Sequence, residues 1–230
     1  MPAILIVAPH PDDEAFGCAG TVARYAEQGV ASHLLTLTKG QIGTMSDGVD
    51  SPEALGLLRE YETRASARVI GAASVELLDY MDGALDQVPL DEVAGHVSRK
   101  LVETGADTII TFGPTGLTRH VDHIAGHKAA MRAAESAAGG PRPVRVLWVA
   151  IDGPFADQLE IVGPEREPTH RIDVTDYLDV KLAALACHSS QQDSREFFAM
   201  LSKFTTHEEL YHQALPVVPS GALFRDLFQG

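Results

Sequence analysis

Three observations predict a single α/β domain with a Rossmann-like, mostly parallel sheet in the order 3-2-1-4-5, C-terminal additions, and helices on both faces. Apolar runs of β type alternate with helical patterns, the signature of βαβ units. The runs are nearly continuous, as expected of strands buried on both faces. The 230 residues, 45% apolar and 22% charged, have an ordinary globular composition at a length where α/β folds often stay single. Residues 1–151 are expected to form the core, and 152–230 an extension completing the same domain.

The expected strands are Ala3 to Ala8, His33 to Thr38, Val75 to Tyr80, Thr108 to Phe112 and Val144 to Ile151. Between them lie helices with recognisable punctuation. The first is expected from about Glu14 to Gln28, stopped by Gly29 in the left-handed position that ends many helices. The second opens with Ser51-Pro52-Glu53, a capping serine followed by proline at the first helical position. It carries Ala54, Leu58, Tyr61, Ala65 and Val69 on one face and ends at Gly71. The third, from about Asp91 to Thr104, spaces Val93, Val97 and Leu101 helically before Gly105. The fourth follows His120, is alanine-rich to about Ala138, and is broken by "GGPRP". "KGQIGTMSDGVD", positions 39 to 50, is a long loop of the kind that forms lids or binding loops. Beyond Ile151 come a short "HRIDVTD" segment, a helix from about Asp176 to Ser190, and an aromatic-rich tail.

A formal net charge of -14 argues against nucleic acid or an anionic membrane as partner, because both repel an acidic surface. Cys18 and Cys187 are too few for a disulfide framework and lack metal-type spacing, which points to a reducing compartment. "MPAILIVAPH" has no basic segment, its apolar run ends at His10, and no run approaches the ~18 residues of a membrane span. A cytoplasmic protein is expected.

Two clusters carry the chemistry. His10-Pro11-Asp12-Asp13-Glu14 sits where the first strand gives way to its helix, and "GPTGLTRHVDHIAGH" follows the fourth strand. Open α/β sheets bind ligands at the carboxyl ends of strands where strand order reverses. In the order 3-2-1-4-5, His10, Asp12 and Asp13 would face His120, Asp122 and His123 across one crevice. Two imidazoles and a carboxylate are a common catalytic zinc set with one position left for water, whose pKa the metal lowers to ~7. Iron, cobalt or nickel would also suit these donors. A spare carboxylate nearby can take the water's proton. Either cluster alone also fits a capped helix with acidic residues complementing its dipole. Their pairing after neighbouring strands favours a metal. His127, four residues past His123, is read as a helix-surface residue.

"VAPHPDDEAFGCAGTVARYAEQG" with "TFGPTGLTRHVDHIAGHKAA" resembles the PIG-L/LmbE-like family of N-acetylglucosaminyl deacetylases. "LREYETRASARVIGAASVELLDYMDG" and "DVTDYLDVKLAALACHSSQ" extend the similarity from Ile4 to about Gln191. The resemblance implies that His10, Asp13 and His123 are zinc ligands and Asp12 the base that activates water and later protonates the amine. It implies that His120 stabilises the oxyanion or orients substrate, with Asp122 tuning it, and that Arg59 and Asp82 contact sugar hydroxyls. An imidazolium at His120, beside a carboxylate, would keep its charge near neutral pH. Otherwise Arg59 is a surface helix charge and Asp82 a strand-end turn. Two departures stand out: Gln41 replaces a glutamate usual in the loop after the second strand, keeping hydrogen bonding without charge, and Val121 replaces a common proline. His188 and Gln191 are read as helix packing.

The expected function is a zinc-dependent hydrolase that removes acetyl from an N-acetylated amino sugar or glycoside. The rivals are an amidase for a sugar–thiol conjugate or other N-acyl compound, and a non-catalytic sugar- or metal-binding protein on the same scaffold. A dinucleotide site is disfavoured because Gly17 and Gly20 lie inside the first helix. A two-metal phosphoesterase is disfavoured for want of bridging carboxylates. The tail could make a homo-oligomer contact or pack on its own core.

Overall fold

Every side chain of the first strand is buried, and successive residues serve opposite faces of the sheet. Ile4, Ile6 and Ala8 join one core with Val22, Tyr25 and Leu185, while Ala3, Leu5 and Val7 join another with Leu35, Val97 and Ala133. This period-two division makes the strand apolar throughout. Each buried leucine or isoleucine contributes about 1.5–3 kcal/mol.

The computed structural model describes residues 2–44, 48–138 and 143–230. Strands β1 (Ala3–Ala8), β2 (Ala31–Thr38), β3 (Ser74–Tyr80), β4 (Thr108–Thr111), β5 (Arg145–Ala150), β6 (His170–Asp173) and β7 (Glu208–Leu215) form one sheet in the order β3-β2-β1-β4-β5-β7-β6. The first five are parallel, with Ile4 opposite Ser32 on one side and Thr108 on the other. β7 runs antiparallel to β5 and β6. The expected order thus holds, with two C-terminal strands added at the β5 edge. The helices are α1 (Asp13–Gly17), α2 (Ala19–Glu27), α3 (Pro52–Val69), α4 (Leu90–Thr104), α5 (Gly116–Arg119), α6 (Val121–Ala137), α7 (Gly153–Gln158), α8 (Leu178–Cys187) and α9 (Gln192–Leu201).

Local punctuation behaves as the sequence predicts at α3, where the Ser51 side chain accepts the Ala54 N–H and Pro52 opens the helix. It does so again at α4, which ends on left-handed Gly105. The "GGPRP" break at the end of α6 falls mostly outside the described residues. The tail chooses its own core in part: Tyr211 and Leu227 are fully buried, and the Leu227 N–H donates to the Tyr25 hydroxyl at 2.6 Å.

The expected helix from Glu14 to Gln28 is instead two, broken at Cys18 (φ -152°, ψ 11°). A buried ion pair from distant chain fills the break. The Lys181 ammonium donates to the carbonyls of Ala15 and Phe16, ending α1, and to Glu209 at 2.5 Å. Glu209 accepts the N–H groups of Gly20 and Thr21, opening α2. Orphan groups at both helix ends are thereby satisfied by two opposite charges that also neutralise each other. The glycines serve packing: a Cβ on Gly20 would lie 2.7 Å from Val174 Cβ.

Candidate active site

The sheet reverses direction of strand order between β1 and β4, and the loops leaving these two strands carry the two His/Asp clusters. Thr38 donates to the Pro9 carbonyl through both its N–H and hydroxyl, and the Thr111 hydroxyl donates to Val7. These bonds fix the exit of β1 against its neighbours. Beyond it the His10 N–H donates to Asp13 Oδ2 at 2.7 Å.

His10 Nδ1 lies 3.2 Å from His123 Nε2. Asp13 reaches both rings, with Oδ2 3.7 Å from His10 Nδ1 and Oδ1 3.4 Å from His123 Nε2. Tetrahedral ligands at metal distances of about 2.1 Å are spaced about 3.4 Å apart, so the two ring nitrogens have the separation a small divalent cation requires, and Asp13 offers one carboxylate oxygen to each ring. Hydrogen bonding at the far side of each ring agrees. His10 Nε2 faces Asp122 Oδ2 at 3.0 Å and Asp82 Oδ1 at 3.1 Å, and so carries a proton. His123 Nδ1 donates to the Gly116 carbonyl at 3.0 Å. When both rings are neutral, two lone pairs point at one spot beside a carboxylate, the arrangement of metal-ligating histidines braced from behind. A proton is the alternative occupant. Burial alone would lower the His10 pKa, but hydrogen bonds to Asp122 and Asp82 and the Asp13 charge raise it to about 10. For Asp13, burial is outweighed by His123 and His10, which lower its pKa.

Among the described residues two other donor groupings occur, His10–His120–His123 and His10–Asp82–Asp122, each with ligand atoms within 4.8 Å. Tautomers separate them from the first. His120 caps α6, its Nδ1 accepting the Asp122 N–H at 3.2 Å. Its proton therefore sits on Nε2, which makes that atom a donor and not a ligand. The second grouping would need a lone pair on His10 Nε2, between two carboxylates that accept a proton there.

Asp12 is 6% exposed and left-handed, at φ 90°, a conformation that aspartate adopts more readily than most residues. Arg59 and the Ser194 hydroxyl both donate to its Oδ2, at 3.1 and 3.2 Å. Burial raises its pKa to about 7 against the lowering charges of Arg59 and His188. Such a carboxyl can both accept and release a proton near neutrality.

Other residues sit differently from their expected roles. The Asp122 carboxylate is hydrogen-bonded to His10 and to the N–H groups of Gly83 and Leu85, and it is the backbone N–H of Asp122 that meets the His120 ring. Burial and the neighbouring His10 and His123 lower the His120 pKa, so it is a neutral Nε2–H donor and not the expected imidazolium. Arg59 is no surface charge: it is 5% exposed and donates to the carbonyls of Gly40 and Pro11 as well as to Asp12. Asp82 lies against His10. His127 is half-buried, bonded to the Phe112 carbonyl and edge-on to Trp148, outside the cluster. In the loop after β2, Gln41 donates to the Tyr80 carbonyl and accepts the Asp82 N–H. Gln191 clasps Thr44 through that residue's N–H and carbonyl. Residues 45–47 of this expected lid lie outside the described residues.

The groups that brace the loop before α6 leave no pattern in the sequence. Glu165 accepts the N–H and hydroxyl of Thr115, beside Gly116, whose carbonyl holds His123. Gly116 itself is required: its φ is 66°, and a Cβ there would lie 2.9 Å from His123 Cβ. No spacing rule links Glu165 to that loop. A surface groove of about 590 Å³ lined by Pro89, Leu90, His127 and Met131 includes none of the cluster's residues.

Residues 5–134 match PIG-L, described as GlcNAc-PI de-N-acetylase. A 1D-myo-inositol 2-acetamido-2-deoxy-alpha-D-glucopyranoside deacetylase of Streptomyces griseus is 29% identical, over 99% of this chain and 88% of its own length. A probable N-acetyl-alpha-D-glucosaminyl L-malate deacetylase 2 of Bacillus anthracis is 31% identical, over 82% of this chain and 80% of its own. Among solved structures, the 4-carboxy-2-hydroxymuconate hydratase GalB of Pseudomonas putida superposes with a TM-score of 0.75 at 21% identity, covering 95% of this chain and 98% of GalB. That likeness speaks to fold alone. Among the described residues no helix is long and apolar enough to cross a membrane.

Proposed function

The chain belongs to the PIG-L family of GlcNAc-PI de-N-acetylases, and from that premise we propose that it is a zinc-dependent hydrolase removing acetyl from a small N-acetylglucosaminyl conjugate. One observation carries this: two inward-facing ring nitrogens 3.2 Å apart, flanked by Asp13, with the buried carboxyl of Asp12 next in the chain. The names of the relatives, an inositol glycoside and a malate glycoside deacetylase, support a polar aglycone.

His10 Nδ1, His123 Nε2 and Asp13 would hold the ion. When bound, a divalent metal polarises an acyl oxygen and brings the pKa of water toward neutrality. Asp12 takes the proton of the attacking water. His120, its Nδ1 engaged by the Asp122 N–H, donates from Nε2 to the oxygen that gains charge. Asp12 then delivers its proton to the amine nitrogen as the C–N bond breaks, giving acetate and the free amino sugar. Asp122 and Asp82 orient His10, and Arg59 backs Asp12, so we assign these residues to holding the machinery and not to gripping the sugar. The single-domain organisation and a cytoplasmic location remain part of this proposal.

Elemental analysis should find about one transition metal per chain, lost on His10→Ala or His123→Ala. Acetate release should be measured with added zinc on N-acetylglucosamine and on its inositol, malate and thiol-bearing conjugates. Silence across that panel with metal bound would favour a non-catalytic binding protein.

A further inference from the structure

Asp12 is held at two points, one by chain remote in sequence and one by the neighbouring Glu14, which remote chain holds in turn. The Ser194 hydroxyl, in the first turn of α9 and fully buried, donates to Asp12 Oδ2 across 182 residues. The Asp12 N–H donates to Glu14 Oε2 at 3.2 Å. The other oxygen of Glu14 accepts from His188 Nε2 at 2.7 Å and from the Ser66 hydroxyl at 2.6 Å. Glu14 and His188 are both fully buried. A buried carboxylate without a partner is costly, so His188, just beyond α8, is what allows Glu14 to stand at the amide of Asp12.

We propose that Ser194 and the His188–Glu14 pair are positioning residues that hold Asp12 in its working conformation, making the C-terminal helices α8 and α9 part of the catalytic apparatus. This rests on the deacetylase function proposed above. The physical basis is that Asp12 lies at φ 90°, outside the backbone regions that most side chains prefer. Its amide is fixed by Glu14, and its carboxylate is fixed by Ser194 together with Arg59. Two fixed points define both the backbone and the side-chain torsion. Misplacing a reacting group by ~1 Å can cost ~10²-fold in rate. A polar network serving packing alone would leave the Asp12 carboxylate where it is when Ser194 loses its hydroxyl.

The experiment compares wild type with Ser194→Ala and His188→Gln, the second of which keeps an N–H able to reach Glu14. For Ser194→Ala, kcat should fall about tenfold, with KM and metal content unchanged within about twofold. His188→Gln should retain more activity than His188→Ala. Crystals of the metal-free wild type and Ser194→Ala give a readout independent of turnover, with the Asp12 side chain expected in a different rotamer in the variant. A Ser194→Ala enzyme with wild-type kcat, or one whose Asp12 is unmoved, overturns the proposal. Silence of the wild type on every substrate removes the deacetylase function instead, and the Asp12 rotamer then decides the positioning role alone.

Discussion

Replacing Asp122 by asparagine tests how His10 is presented. The carboxylate accepts three hydrogen bonds: His10 Nε2 at 3.0 Å and Gly83 N–H at 2.7 Å on Oδ2, and Leu85 N–H at 2.9 Å on Oδ1. An asparagine of the same shape can turn its single oxygen to His10 and Gly83, but its NH₂ then faces the Leu85 N–H, donor against donor. The opposite flip creates two such conflicts and is disfavoured. Loss of one buried hydrogen bond, leaving an unpaired donor, costs about 1–3 kcal/mol. That amounts to a melting temperature lower by roughly 2–12 °C for a domain of this size. The same change removes one of the two charges, Asp82 being the other, that keep the His10 proton on Nε2 and its lone pair on Nδ1. Substitutions behind a metal-bound histidine weaken affinity about 10–100-fold. Zinc competition against a chromophoric chelator, alongside thermal unfolding of the metal-free protein, reads both effects. A lower melting temperature with unchanged zinc affinity would refute the assignment of Asp122 as the group that presents His10 to the metal.

Asp12→Ala should keep its metal and lose hydrolysis. In the wild type kcat/KM should rise with pH through an acid limb at or below about pH 7, since the base must be ionised and a nearby cation favours that form; an activity that falls across that range would remove Asp12 as base. Lys181→Met strands the buried Glu209 carboxylate, and urea unfolding should report a loss of about 3–5 kcal/mol. In the wild type, burial at Glu209 is outweighed by Lys181 and the Thr21 hydrogen bonds, which lower its pKa. Its stabilisation is therefore complete above the unfolded glutamate pKa and is lost as pH falls through the lower folded value, and a flat stability profile through the acid range would contradict it.

Much of this was legible in the residues themselves. Burial on two faces writes continuous apolar runs such as Ala3–Ala8, and Ser51-Pro52 and Gly105 mark helix ends through torsions that need no distant partner. The paired clusters after β1 and β4 follow from topology, because parallel strands 1 and 4 must deliver their carboxyl ends to one place. What tertiary structure alone decided is which atom of each residue is free. The break at Cys18 depends on Lys181 and Glu209, contributed from more than 160 positions away. His120 is a donor because its Nδ1 caps α6, Asp122 serves His10 because Gly83 and Leu85 draw it there, and Arg59 faces inward because Pro11 and Gly40 offer their carbonyls. Local pattern sets the direction of a chain, whereas the protonation and aim of a buried side chain are set by partners that only the folded molecule assembles.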